Sequence, residues 1–383
     1  MTDLANRALL PAGLRDLLPF DAEHEADVVA RVMGQFSAHG YERVKPPLIE
    51  FEDTLLDGAG AATAAQCFRV MDPHSQRMMG VRADMTPQVA RIAMTRLAGE
   101  PRPLRLSYAG QVLRVKGSQL RPERQFGQAG IELIGSDSAA ADAEVAVLAA
   151  QALTAMGVPG VSVDLSLPTL VPALLDGLGV TDGTLRGRLD HKDAAAVAAL
   201  GGAAAPMLAA LLSSVGPADR ALEILGRLEL PPAAAAERNR LAAVVTLIQS
   251  AMPELTLTVD PVENRGFEYH TGVAFTLFGR NLSQELGRGG RYLAGGSEPA
   301  TGATLFLDSV LASVPGPKAP RRLFVPAGTP PAWAHAFRAQ GWVTVAGLEK
   351  AADDQAEAKR LKCGHVLTAA GIMSLETGGL EDG

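Results

Sequence analysis

The chain has 383 residues, 47% hydrophobic and 20% charged, which suits a large domain plus a smaller one and rules out a disordered polyelectrolyte. Its 35 Lys and Arg against 42 Asp and Glu give a net charge of −7, the wrong sign for broad contact with nucleic acid. Two cysteines far apart, Cys67 and Cys363, support neither a disulfide framework nor a zinc site. MTDLANRALLPAG lacks the basic start and apolar run of a signal peptide, and no stretch of about 18 apolar residues occurs. The expectation is a soluble, cytoplasmic chain with no membrane span.

The first predicted helix runs from Asp21 to about Ala38, with Val28, Val29, Val32, Met33 and Phe36 at helical spacing and Gly40 ending it. Asp21, Glu23 and His24 read as its charged start, not as a metal site. Short strands follow in YERVKPPLIEF, CFRVMD, RMMGVRAD, LRLSYAGQVLRV and RQFGQAGIELIG, and their close setting predicts an antiparallel sheet. One helix interrupts them, with Thr86 as N-cap and Pro87 in its first turn, running towards Gly99. A second long helix is expected from Asp142 to about Met156.

Residues 168–252 turn rich in Ala and Leu and read as an all-helical insertion. Strand patterns resume in LTLTVD, GVAFTLF and the glycine-dense QELGRGGRY, with a turn at Gly279-Arg280-Asn281. The predicted organisation is therefore a core of residues 1–167 and 253–314, an insertion of 168–252, and a small α/β segment of 315–383. That last segment carries the strand-like RRLFVPAG and WVTVAG around a helix near Trp333.

Polar residues converge in three places. In the strand around Gln128, Gly130 and Glu132, these residues share one face while Ala129, Ile131 and Leu133 share the other. The bare Gly130 predicts a gap into which a small ligand descends. Asp84 and Thr86 stand where a strand gives way to a helix, a place for gripping a ligand, although capping explains them as well. Arg114 closes the strand before a polar hairpin loop. In ENRGFEYHTG, Arg265 and Tyr269 can face one side of an extended chain, whereas His270 alone proves nothing. GRGGR lies among strands, so a P-loop reading is weak, and no HExxH, GxSxG or Ser-His-Asp order is present. No cofactor or metal is expected.

LPAGLRDLLP, YERVKPPLIEF, VRADMTPQVAR, the Arg114 to Glu132 hairpin, RGFEYHTG and GGRY follow one another as in histidyl-tRNA synthetase, which residues 9 to 312 resemble. The resemblance implies an α+β fold of the class II aminoacyl-tRNA synthetase type: a mixed, largely antiparallel sheet flanked by helices, dimerising through the region of YERVKPP. It also implies a histidine pocket of Asp84, Thr86, Arg114, Gln128, Glu132, Arg265, Tyr269 and His270, the last standing where that family has Tyr.

The ATP apparatus departs from that pattern. Val115 and Lys116 follow Arg114 where a Glu is expected, and Asp308-Ser309 lie near the place of a γ-phosphate-binding Arg. An acid there repels a triphosphate, and the tail is short for an anticodon-binding domain, which argues against tRNA. A chain that keeps the amino-acid pocket and loses the ATP and tRNA parts resembles the regulatory subunit of ATP phosphoribosyltransferase. That resemblance implies a non-catalytic protein that activates a short-form catalytic subunit in the first step of histidine biosynthesis and transmits inhibition by histidine. A divergent histidyl-tRNA synthetase and a stand-alone histidine-binding module are the alternatives.

Overall fold

Helix α1 (Asp21–Ala38) buries Val28, Val32, Met33 and Phe36 along one face, and Gly40 ends it with a φ of 80° that favours glycine. These elements belong to a computed structural model that describes residues 9–117, 121–180, 183–264, 269–282 and 284–375. The short strands β1 (Glu42–Arg43) and β2 (Ile49–Phe51) follow, then a one-turn helix α2 (Glu52–Leu55) and a 3-10 segment, Gly58–Gln66. Strands β3 (Phe68–Met71) and β4 (Met78–Val81) precede helix α3 (Thr86–Thr95), and the long hairpin β5 (Leu104–Leu113) and β6 (Gln125–Ile134) precedes helix α4 (Ala139–Ala155).

After β7 (Ser162–Ser166) the chain is helical through α5 (Leu170–Gly177), α6 (Gly183–Asp190), α7 (Ala194–Leu200) and α8 (Ala205–Ser213). A two-residue strand β8 (Gly216–Pro217), α9 (Ala218–Gly226) and α10 (Pro232–Ala251) complete this region. Strands β9 (Thr256–Asp260), β10 (Ala274–Phe278), β11 (Gly287–Ala294) and β12 (Glu298–Phe306) then lead into the short helix α11 (Leu307–Leu311).

Nine strands form one sheet in the order β1-β5-β6-β12-β11-β10-β7-β9-β8. Two of its pairings are parallel, β1 with β5 and β7 with β9, and the rest are antiparallel. Ala129, Ile131 and Leu133 of β6 join α1 and α4 in the larger core. The other face of the sheet packs Tyr108, Tyr292 and Phe306 with Val89, Ala90 and Ala93 of α3. β6 is buried on both faces, as a strand between two helical layers must be.

Several local expectations change. β2, β3 and β4 form a separate three-stranded sheet instead of joining the large one. Thr86 is not the N-cap of α3: Met85 holds that position, and the Asp84 carboxylate accepts the Thr86 N–H at 2.9 Å, which leaves the threonine hydroxyl for other work. The same helix stops at Thr95, short of Gly99. α4 starts three residues before Asp142 because Ser138 caps it, accepting the Ala141 N–H. The Ala-rich region includes one strand, β8, paired with β9.

A second compact unit, Pro317–Gly383, is separate from Met1–Gly316. In it β13 (Arg322–Val325) lies between β14 (Val343–Ala346) and β15 (His365–Thr368), both parallel to it, and β16 (Gly371–Ser374) pairs antiparallel with β15. Helices α12 (Pro331–Ala339) and α13 (Asp354–Arg360) make the crossovers.

Candidate functional site

Four glycines on adjacent strands carve a depression into the large sheet. The register pairs Gly110 of β5 with Gln128, Gly130 of β6 with both Tyr108 and Thr304, and Gly302 of β12 with both Glu132 and Gly290 of β11. Because side chains two apart share a face, Gly110, Gly130, Gly302 and Gly290 all open on the same side. A Cβ added at any of them would come within 2.6 Å of a polar side chain: Arg82, Tyr108, Glu132 and His270 respectively. The glycines therefore let these side chains lie flat on the backbone. The gap expected over Gly130 is not open to a ligand, since the Tyr108 phenol fills it.

Above this floor is a cavity of about 260 Å³. Glu132 lines its base, completely buried. The Tyr292 hydroxyl donates to its Oε2 at 2.8 Å, and the Tyr108 hydroxyl lies 3.2 Å from its Oε1. Tyr108 is itself 2.8 Å from the Thr304 hydroxyl and 3.1 Å from that of Thr86. Burial pushes the Glu132 carboxyl up to about 8, against the hydroxyls of Tyr292, Thr86 and Tyr108 and with a further push from Asp84. Burial, and then the Glu132 charge, holds both tyrosine phenols well above their ordinary range.

At the rim, Asp84 is fixed from below. The Gln128 amide donates to its Oδ2 at 3.0 Å, while the Gln128 carbonyl accepts the Met85 N–H. Arg114 lies 4.9 Å from the Phe126 ring centre and, among the described residues, donates a single long bond, 3.4 Å, to the Ala83 carbonyl. Burial lowers its guanidinium from the ordinary value. A half-buried cation with so little partnership can take a ligand carboxylate. Tyr269 and His270 also line the cavity, with ring centres 4.1 Å apart, and Tyr269 meets Tyr292 edge to face at 6.4 Å.

Beyond Arg114 the sheet carries an arginine and phenylalanine cluster. Arg121 lies 3.9 Å over the Phe306 ring and 3.2 Å from the Asp308 carboxylate. Arg288 also faces Phe306 and pairs with Glu285 at 2.5 Å.

Of the residues singled out from the sequence, Asp84, Thr86, Arg114, Glu132, Tyr269 and His270 line this one cavity. Gln128 stands behind Asp84, and Arg265 lies outside the described residues. Arg288, Tyr292, Gly302 and Thr304 line it too and were not anticipated. GGRY pointed towards Tyr292 and GRGGR contains Arg288, but nothing local announces Gly302 or Thr304. Among the described residues no group of three His, Cys, Asp or Glu is placed to hold a metal, and no helix is long and apolar enough to cross a membrane.

Residues 13–310 match the family model of histidyl-tRNA synthetase, and the mixed sheet with its helical layers is the class II fold of that group. A solved structure titled ATP phosphoribosyltransferase regulatory subunit/histidyl-tRNA synthetase, from Bacillus halodurans, shares this fold: TM-score 0.79, 24% identity, 92% of this chain and 96% of that one. The chain belongs to the family of ATP phosphoribosyltransferase regulatory subunits. It is 71% identical to the Paramagnetospirillum magneticum protein of that name, covering 98% of this chain and 100% of the relative. The Rhodospirillum centenum counterpart is 58% identical over 96% and 97%.

Proposed function

We propose that this protein is a non-catalytic histidine sensor: its cavity binds free histidine, and it activates and inhibits a short-form ATP phosphoribosyltransferase catalytic subunit in the first step of histidine biosynthesis. The observation that carries this reading is the gathering of Asp84, Thr86, Arg114, Glu132, Tyr269 and His270 around one amino-acid-sized cavity. Arg114 meets the carboxylate, Asp84 and Thr86 meet the ammonium, and Glu132 with its tyrosines meets the imidazole. Histidine acts by binding one state of the assembly better than the other. Self-association as a dimer belongs to the same reading.

The Arg121 and Asp308 pair favours a regulator over an adenylating enzyme. With the guanidinium already matched by an internal carboxylate, a triphosphate arriving there would meet an acid and a neutralised arginine.

The test mixes the purified chain with its short-form catalytic partner. We expect a rise in phosphoribosyl transfer on mixing, loss of that rise with histidine, and calorimetric binding of histidine to the chain alone. Histidine-dependent exchange of pyrophosphate into ATP by the chain alone would instead assign it to the synthetases. Histidine binding without any effect on the catalytic subunit would leave only a binding module.

A further inference from the structure

Glu132 is an unusual group to place beneath an amino-acid ligand. It sits at the bottom of the cavity with no solvent exposure. Among the described residues no Lys, Arg or His forms an ion pair with it; its neighbours are hydroxyls. Tyr108 approaches from β5, Tyr292 from β11, Thr304 from β12 by way of Tyr108, and Thr86 from the start of α3. Among the described residues the other titratable groups facing the cavity are Asp84 before α3, Arg114 after β5, Tyr269 and His270 before β10, and Arg288 on β11. Arg288 is paired with Glu285, and Asp84 carries the same sign as an ionised Glu132. A bare carboxylate in this setting is costly.

We infer that the empty cavity stores one proton on Glu132 and shares it with the ring nitrogen of its ligand, so that histidine binding near neutral pH exchanges no proton with solvent. This rests on the histidine reading above. The balance is simple. The empty site brings one O–H, and a neutral imidazole brings a lone pair on its second nitrogen. In the complex that proton either stays on oxygen, as O–H···N, or crosses, breaking O–H and forming N–H. Either way it lies between the two atoms and the count is unchanged.

The stored proton sets a window. Free imidazole titrates at about 6.5, and burial pushes the Glu132 carboxyl of the empty cavity up to about 8. Between these values affinity is flat with respect to this proton. Below the window the ligand arrives already protonated, one of two protons must leave, and affinity falls about tenfold per pH unit. Above it the site has lost its proton, one must be taken up, and affinity falls again with the same slope.

Calorimetric titration of the full chain with histidine, in buffers of small and large ionisation heat, counts the protons. At about pH 7 we expect the same heat in both buffers. At about pH 9 the unaltered protein should take up about one proton more than Glu132→Gln, the ligand ammonium contributing equally to both. Release of about one proton at neutral pH would mean that Glu132 is bare in the complex and would overturn the inference while leaving histidine as the ligand. Equal uptake by the two proteins at high pH would overturn it as well. Should the variant not fold, the two-buffer comparison on the unaltered protein decides alone. No heat in any buffer removes the histidine reading, and this inference with it.

Discussion

Arg121 Nε lies 3.2 Å from Asp308 Oδ2, and both side chains are about nine-tenths buried, at 9% and 11% exposure. Burial pushes the Asp308 carboxyl up even though Arg121 pulls it down, so desolvation outweighs attraction and the pair is a weak source of net stability. Removing one partner is another matter. Asp308→Ala takes the nearest carboxylate from a guanidinium held between Phe126 and Phe306, leaving it the Glu285 carboxylate at 3.9 Å, the Glu285 carbonyl at 3.3 Å and the Ser309 hydroxyl at 3.4 Å. We expect a loss of about 2 kcal/mol in denaturant unfolding. A midpoint equal to that of the unaltered protein would show that water already screens the pair.

Glu132 also makes the empty protein pH-sensitive. Its folded value of about 8 lies above the ordinary 4.5, so the native state binds more protons than the unfolded chain between those limits. The stability it contributes is complete below pH 4.5 and is lost as pH rises through about 8, at no more than about 1.4 kcal/mol per pH unit. Asp308 and Asp164, also held up by burial, add slopes of the same sign. The informative measurement is therefore the difference between the unaltered protein and Glu132→Gln in thermal unfolding across this range. The variant should have the shallower profile, and parallel profiles would show that Glu132 ionises normally.

Two glycine substitutions should act in opposite directions. At Gly302 a Cβ would collide with the Glu132 carboxylate, so Gly302→Ala must displace the base of the cavity. We expect histidine affinity to fall at least tenfold and stability by about 1–3 kcal/mol. Gly34 lies exposed inside α1 with nothing within 4 Å of its Cβ position, and Gly34→Ala should add about 0.5–1 kcal/mol. Calorimetry and unfolding of the two variants check both expectations, and unchanged histidine affinity in Gly302→Ala would move the ligand off Glu132.

The sequence made the strand faces legible but not the register between strands. Alternation alone placed Ala129, Ile131 and Leu133 in the core and Gln128 and Glu132 on the polar side, because that pattern is local and the sheet has period 2. What lies over Gly130 depends on Tyr108 being its cross-strand partner, which no window of residues reveals. For the same reason GRGGR did not reveal where Arg288 points: it reaches the cavity because Thr304, its partner on β12, is also the partner of Gly130. Thr86 misled through chemistry. A threonine before Pro87 has the form of a cap, but Met85 holds the N-cap position and the Asp84 carboxylate accepts the Thr86 N–H. The pairing of Arg121 with Asp308 joins residues 187 positions apart, and charge content gives no hint of such a contact.

Arg291 precedes Tyr292 on β11 but points to the opposite face, where a second buried ion pair ties the sheet to its helices. Its Nη2 lies 2.8 Å from Asp142 Oδ1, and Arg240 of α10 reaches Asp142 Oδ2 at 3.1 Å. Exposure is 4% for the Arg291 side chain and 3% for Asp142, against 21% for Arg240. Asp142→Ala thus strands a deeply buried guanidinium that, among the described residues, keeps Asp137, itself 68% exposed, and the carbonyls of Ser136 and Ser138. The expected cost is about 3–5 kcal/mol, more than for Asp308→Ala. Arg240→Ala leaves the inner pair intact and should cost about 1 kcal/mol or less. Since Arg291 and Tyr292 are consecutive on one strand, Asp142→Ala should also loosen the tyrosine that holds Glu132 and weaken histidine binding, while Arg240→Ala should not. Equal losses in the two variants, by chemical denaturation, would mean that the outer arginine and not the inner one carries the joint.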